Sequence, residues 1–174
     1  MIRTLIIFVH PALEKSTANR ALLEGVSSID GVTVHDLYEM YPDFHIDVAK
    51  EKALLEAHDR IIWQFPFYWY SSPALLKEWF DVVLQYGWAF GPGGKALEGK
   101  TARVVTTTGS GGDTYCVDGR NCYSIDEFLR PIEMTAALCR MGYESPLAFH
   151  EVLNWQGSEL SNAVSTYRNW LMKG

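Results

Sequence analysis

The segment Ile2-Arg3-Thr4-Leu5-Ile6-Ile7-Phe8-Val9 is nearly continuous in apolar and β-branched residues. A strand of that composition has to be covered on both faces, which points to helices packed on either side of a parallel sheet. The rest of the chain supplies the parts. Strand-like runs at Val32–Leu37, Arg60–Gln64, Ala102–Thr108 and Ser145–His150 alternate with helix-like stretches. The helical stretches cover residues 18–29, 48–58, from Pro73 through Leu84, about 124–141 and 158–172, while 38–47 reads as irregular and 87–99 as a glycine-rich connector. Val32–Leu37 alternates apolar with polar residues, as a strand with one exposed face does. Five strands alternating with five helices, without repeat, linker or break in composition, predict one α/β domain over residues 1–174. Its expected architecture is a doubly wound sheet of five parallel strands in the order 2-1-3-4-5, with right-handed crossovers and helices on both faces. Ligands of such sheets lie beyond the carboxyl ends of the strands, so the loops after strands one, three and four are the functional candidates.

Composition narrows the class. With 174 residues, 48% hydrophobic and 21% charged, the chain has the make-up of an ordinary globular domain. A formal net charge of -6 argues against nucleic acid or an anionic membrane as the main partner, because both reward dense basic patches. Cys116, Cys122 and Cys139 are odd in number and form no C-x-x-C pair, so they read as reduced thiols outside any disulfide framework or zinc site. His10, His35, His45, His58 and His150 show no H-E-x-x-H or paired spacing, and no metal is expected. The opening apolar run is too short to span a bilayer and is followed by His10-Pro11, which places the protein in the cytoplasm.

The first loop runs from His10 to Asn19, and Ser16 or Thr17 can cap the helix behind it. A capped helix start gathers free N–H groups and the positive end of the macrodipole, which suits a phosphate; any helix also wants a cap. The loop lacks the G-x-G-x-x-G of a dinucleotide-binding turn. The third loop, Pro66-Phe67-Tyr68-Trp69-Tyr70, concentrates rings at the end of a strand; it can stack on a planar guest, and it can equally be core or oligomer interface. The fourth, Thr106-Thr107-Thr108-Gly109-Ser110-Gly111-Gly112, lets backbone amides approach a ligand closely. Tyr115 beyond it reads as a surface tyrosine or a catalytic phenol. Gly94 to Thr101 satisfies G-x-x-x-x-G-K-[ST], but a P-loop leaves a strand and enters a helix, whereas this string enters a strand and is a chance match.

Taken as an ordered set, these loops and the motifs His10-Pro11, Leu37-Tyr38, Tyr41-Pro42-Asp43-Phe44, Pro73 to Trp79 and Gly91 to Gly94 resemble the flavodoxin-like NAD(P)H:quinone oxidoreductases, the family of DT-diaphorase. Within it the chain is most similar to the ancillary proteins of bacterial glutathione-gated potassium efflux systems, and the resemblance covers nearly the whole chain. It implies a bound flavin, FMN with FAD as the alternative. The phosphate would lie on His10, Ser16, Thr17, Ala18 and Asn19, and the ring against Phe67, Tyr68, Trp69, Tyr70, Thr107, Thr108, Gly109 and Ser110. It further implies ping-pong transfer from NAD(P)H to a quinone, with Tyr115 as a catalytic phenol. The second catalytic histidine of the mammalian enzyme has no counterpart here, Asn121 falling in its place, and His150 on strand five is the substitute the topology offers. A homodimer is implied, with Tyr86 to Phe90 walling the partner's pocket. Three other readings share these features: a regulatory subunit docked on the cytosolic face of a potassium efflux transporter, a flavodoxin-type electron carrier, and an azo or nitro reductase.

Overall fold

The computed structural model describes residues 2–173. Strands β1 (Thr4–Phe8), β2 (Val32–Asp36), β3 (Arg60–Pro66), β4 (Thr101–Thr107) and β5 (Gly142–Phe149) form one sheet in the order β2-β1-β3-β4-β5. Every pairing is parallel, as expected. All residues of β1 and β3 are buried, which explains why neither shows a polar alternation. The pleat sends Leu5, Ile7, Trp63 and Phe65 to one core and Ile6, Phe8 and Ile62 to the other.

Helices α1 (Thr17–Ser27) and α7 (Gly157–Lys173) cover the second core through Leu22, Val26, Ala163 and Tyr167. The opposite face is covered by α3 (Val48–Ala57), α4 (Ala74–Val83) and α6 (Arg130–Leu138), with Leu55, Leu75, Trp79 and Ile132 facing inward. The stretch expected to be irregular opens with a short helix α2 (Leu37–Met40), because the Asp36 carboxylate accepts the N–H groups of Tyr38 and Glu39. The helix expected over 124–141 is two. A capping box of Ser124 and Glu127 starts α5 (Ile125–Phe128), and Pro131, which has no N–H, sits in the first turn of α6. The fifth strand begins at Gly142 rather than Ser145 and changes register against β4 between Arg103 and Val105. Gly94 to Lys100 is a run of turns that enters β4 directly, and the Lys100 ammonium sits on the carbonyl oxygens of His58 (2.6 Å) and Glu56 (3.3 Å) at the carboxyl end of α3.

One buried carboxylate joins four of these pieces. Glu51 of α3 is 0% exposed. Its Oε1 accepts from His35 Nε2 on β2 at 2.7 Å and from the Tyr41 hydroxyl at 2.6 Å, and its Oε2 accepts from Trp79 Nε1 on α4 at 2.8 Å. Burial alone would raise the Glu51 pKa, but these three donors favour the charged form more strongly and hold it below the usual carboxylate range. The same burial, with the neighbouring carboxylate, pushes the Tyr41 phenol upward.

Glu51→Gln replaces one acceptor oxygen with an N–H₂ that must face either Trp79 Nε1–H or the His35 and Tyr41 pair. The expected cost is about 2–3 kcal/mol, read from the urea midpoint at pH 7. Because the folded pKa lies below the ordinary value of 4.5, the wild type loses this contribution as pH falls from there through the folded pKa. The variant should show a shallower acid limb, and identical limbs would mean that Glu51 is not held charged.

Candidate functional site

The carboxyl ends of β1, β3 and β4 open on two adjoining cavities, of about 330 and 460 Å³, whose walls share Phe67, Tyr68 and Gly109. The smaller is built around the start of α1. Ser16 is the N-cap, its Oγ accepting from Asn19 N–H at 3.2 Å, and the first intrahelical bond runs from Arg20 N–H to the Ser16 carbonyl. The N–H groups of Thr17 and Ala18 are therefore left open at the cavity wall, where the helix dipole is positive. His10 Nδ1 accepts from Ala12 N–H at 3.1 Å, so in the neutral ring Nε2 carries the proton. Burial lowers the His10 pKa, against the opposing pull of the Glu14 carboxylate, and the ring is neutral near pH 7.

Asn19 ties this end to the rest. Its amide is 2% exposed and donates to Ser16 Oγ and to Thr107 Oγ1 on β4, each at 3.0 Å. The N-terminus of α1 is thus fastened to the strand whose loop floors the larger cavity.

The larger cavity is walled by a tight hairpin. Tyr68 and Ser71 exchange backbone hydrogen bonds of 3.0 and 2.9 Å around Trp69 (φ 50°) and Tyr70 (φ 61°). Two residues with positive φ make this a primed turn, a form usually held by Asn and Gly, and left-handed geometry costs roughly 1–2 kcal/mol for each bulky residue. Trp69 is 93% exposed, whereas Tyr70 stacks on Phe128 and Phe67 packs edge-on against Tyr115 and Phe128. The opposite wall carries Gly109, Ser110, Tyr115, Arg120 and Asn121. Asn121 is braced through its N–H to the Thr114 carbonyl and its amide to Thr114 Oγ1.

His10, Ser16, Thr17, Ala18, Asn19 and Thr107 line the smaller cavity, Trp69, Tyr70, Ser110 and Tyr115 the larger, and Phe67, Tyr68 and Gly109 both. Thr108 and His150 stand behind the wall. The Thr108 hydroxyl donates to the Ser110 carbonyl at 2.7 Å and contacts His150 Nδ1 at 2.9 Å. With the hydroxyl's single hydrogen committed to Ser110, His150 Nδ1 carries the proton of that second bond and Nε2 is the open acceptor. Burial lowers the His150 pKa, against the Glu151 carboxylate, and its ring lies 5.6 Å from that of Tyr115.

Sequence reasoning missed Lys15, Arg120 and the Val152, Leu153 and Trp155 side of the smaller cavity. The signal for the last three was present: in a parallel sheet the loop after strand five leaves by the same edge as the others. Among the described residues no group of three His, Cys, Asp or Glu side chains converges as metal ligands, and no helix is long and apolar enough to cross a membrane.

The open donors of α1 suit a phosphate, and the aromatic hairpin facing a glycine-containing loop suits a planar ring joined to it through the shared wall; the residues present fit a flavin mononucleotide. Comparison with known proteins agrees with that geometry. The chain is 48% identical over 169 residues, 97% of this chain and 92% of the relative, to the glutathione-regulated potassium-efflux system ancillary protein KefG of Cronobacter sakazakii. Among solved structures it is similar to the general stress protein 14 of Treponema denticola in complex with FMN, with 41% identity, a TM-score of 0.92 and 98% of each chain covered. It is also similar to an NADPH-quinone reductase of P. pentosaceus, with 34% identity, a TM-score of 0.89 and 97% of each chain covered. The sequence pattern of the flavodoxin-like fold matches residues 2–171, and the chain belongs to that family.

Proposed function

We propose that this protein is an FMN-dependent reductase that passes two electrons from NAD(P)H to quinones in a ping-pong cycle. The observation that carries the reading is the junction of the two cavities: an anion-binding helix start runs, across Phe67, Tyr68 and Gly109, into an aromatic slot. The relatives that bind FMN or are named as quinone reductases support it.

When bound, FMN supplies the hydride chemistry between nicotinamide and quinone. The chain's own residues hold and shape. Thr17 and Ala18 N–H, with Ser16 and His10, would bind the phosphate, while Phe67 to Tyr70 with Gly109 and Ser110 would hold the ring, Thr107 lying on the phosphate side and Thr108 bracing the loop from behind. The Tyr115 phenol, on the slot wall, offers its O–H to an oxygen that gains negative charge. His150 acts through others: its Nδ1–H holds Thr108, and Thr108 holds the Ser110 carbonyl, fixing the loop that carries Gly109. The slot takes nicotinamide and acceptor in turn, which is what an alternating cycle requires.

A homodimer belongs to the same reading. An apolar groove of about 480 Å³ between α4 and α6, lined by Phe80, Leu84, Phe90, Ile132 and Leu138, runs on at Ser71 into the hairpin, where Trp69 and Tyr70 stand exposed. A second copy covering this continuous face would bury rings that a monomer leaves in water. Similarity to KefG favours a second role, docking on a potassium efflux transporter at the membrane, with the reductase activity secondary.

Anaerobic addition of NADH or NADPH to the FMN-loaded protein should bleach the flavin spectrum, and a quinone should restore it. A protein that takes up neither FMN nor FAD would sink the reading, and one that binds FMN but does not turn over would favour docking. Tyr115→Phe should retain FMN while lowering kcat about 100-fold. Trp69→Gly should leave the urea midpoint unchanged or raised, because the left-handed turn suits glycine, while FMN affinity falls at least about tenfold. Sedimentation at micromolar concentration should give a dimer, and a monomer would remove this account of the exposed rings.

A further inference from the structure

Arg120 is the one charged residue on the wall of the larger cavity among the described residues. Its Nη2 donates to Ser110 Oγ at 3.0 Å, and it has no ion-pair partner within the described chain, although Asp113 and Asp118 belong to the same loop. A guanidinium carries five N–H donors in a fixed plane, so most of its donors stay open after the bond to Ser110. Both ends of the arrangement are braced. The Ser110 carbonyl receives the Thr108 hydroxyl at 2.7 Å and Glu151 N–H at 3.2 Å. The Arg120 backbone sits between Gly119, whose N–H donates to the Cys116 carbonyl, and Asn121, whose N–H donates to the Thr114 carbonyl. The cation is therefore placed at the slot in a protein of net charge -6, with no carboxylate of the described residues in ion-pair contact with it, although the Asp113 and Glu151 carboxylates converge nearby at Gly111.

We infer that the electron acceptor of this site is a planar compound bearing an acid group, carboxylate or sulfonate, which Arg120 anchors while the aromatic walls take the ring. The inference rests on the reductase reading and names its acceptor class. The guanidinium is tied to Ser110, itself a wall residue of the slot, so it reaches an acid group attached close to the stacked ring. The phosphates of a pyridine nucleotide stand a ribose further away from their ring.

The test compares naphthalene-2-sulfonate with the uncharged naphthalene-2-methanol, by calorimetric titration of the FMN-loaded protein and of Arg120→Gln and Arg120→Lys. The wild type should bind the sulfonate about tenfold more tightly than the alcohol, as one charge-assisted pair at a partly exposed site allows. Arg120→Gln should erase that preference with a much smaller change for the alcohol. Arg120→Lys should keep part of it, because the charge remains and the planar fork is lost. High salt should shrink the wild-type preference. Equal affinity for the two ligands in the wild type, or an equal loss for both in the variant, would overturn the inference. So would an Arg120→Gln protein whose sulfonate preference persists while its KM for NADPH rises, since Arg120 would then serve the nucleotide. Absence of quinone turnover with the preference intact would count against the reductase reading alone; turnover without the preference would count against this one.

Discussion

The complete burial of β1 and β3 is the constraint from which the rest follows. Covering on both faces calls for helices on either side, and because every strand pairing is parallel each connection is a crossover, so the loops that follow the strands all leave from their carboxyl ends. That edge collects loops but does not by itself fix their relative positions. Asn19 does so, because its one buried amide bridges the cap of α1 and the end of β4, reaching Thr107 across 88 positions of sequence. A bond in so dry a place is stronger than its counterpart in water, and it ties the start of α1 in the smaller cavity to the strand that leads into the wall of the larger one.

How much of this was legible depended on whether a feature was local. Strand identity and the three main loops could be read because continuous apolar runs and capped helix starts are local patterns, and the sheet order followed from the topology that five strands alternating with helices adopt. The break between α5 and α6 was also local, in Pro131, but a continuous apolar spacing across Leu129 and Ile132 masked it. The Glu51 cluster was not legible: His35, Tyr41, Glu51 and Trp79 share no spacing rule, and only the folded sheet brings them together. Arg120 lay in a polar loop with no pattern of its own, and its meaning comes from the 3.0 Å contact with Ser110.

Backbone strain follows the same division between scaffold and site. Among the described residues six non-glycine residues have positive φ, and four of them, Trp69, Tyr70, Cys122 and Glu151, lie on the loops that follow β3, β4 and β5. A sequence tuned for stability alone would place Gly or Asn in the Tyr68–Ser71 turn. Keeping two aromatic residues there holds rings against the slot and leaves the amides of a tight turn at its mouth, at a conformational cost of roughly 1–3 kcal/mol for each strained residue. The fully buried strands beneath are what allow the edge to carry that strain.

The distribution of cations separates structure from recognition. Arg60 and Arg103, at the amino ends of β3 and β4, stack on Trp170 of α7 at 5.0 and 4.3 Å, Arg60 also meets the Leu171 carbonyl, and Arg103 pairs with Glu144 at 3.9 Å. Those guanidinium groups are engaged by the fold at the edge opposite the ligand loops, although the Nε of each is buried without a hydrogen-bond partner. Lys15 and Arg120, one on each cavity, have no ion-pair partner among the described residues. In a chain of net charge -6 the long-range field disfavours anions, so an anionic ligand is selected only where a local cation and open amides outweigh that field. Each cavity carries one such cation among the described residues, which is the local charge that the proposed cofactor phosphate and the proposed acid-bearing acceptor would each need.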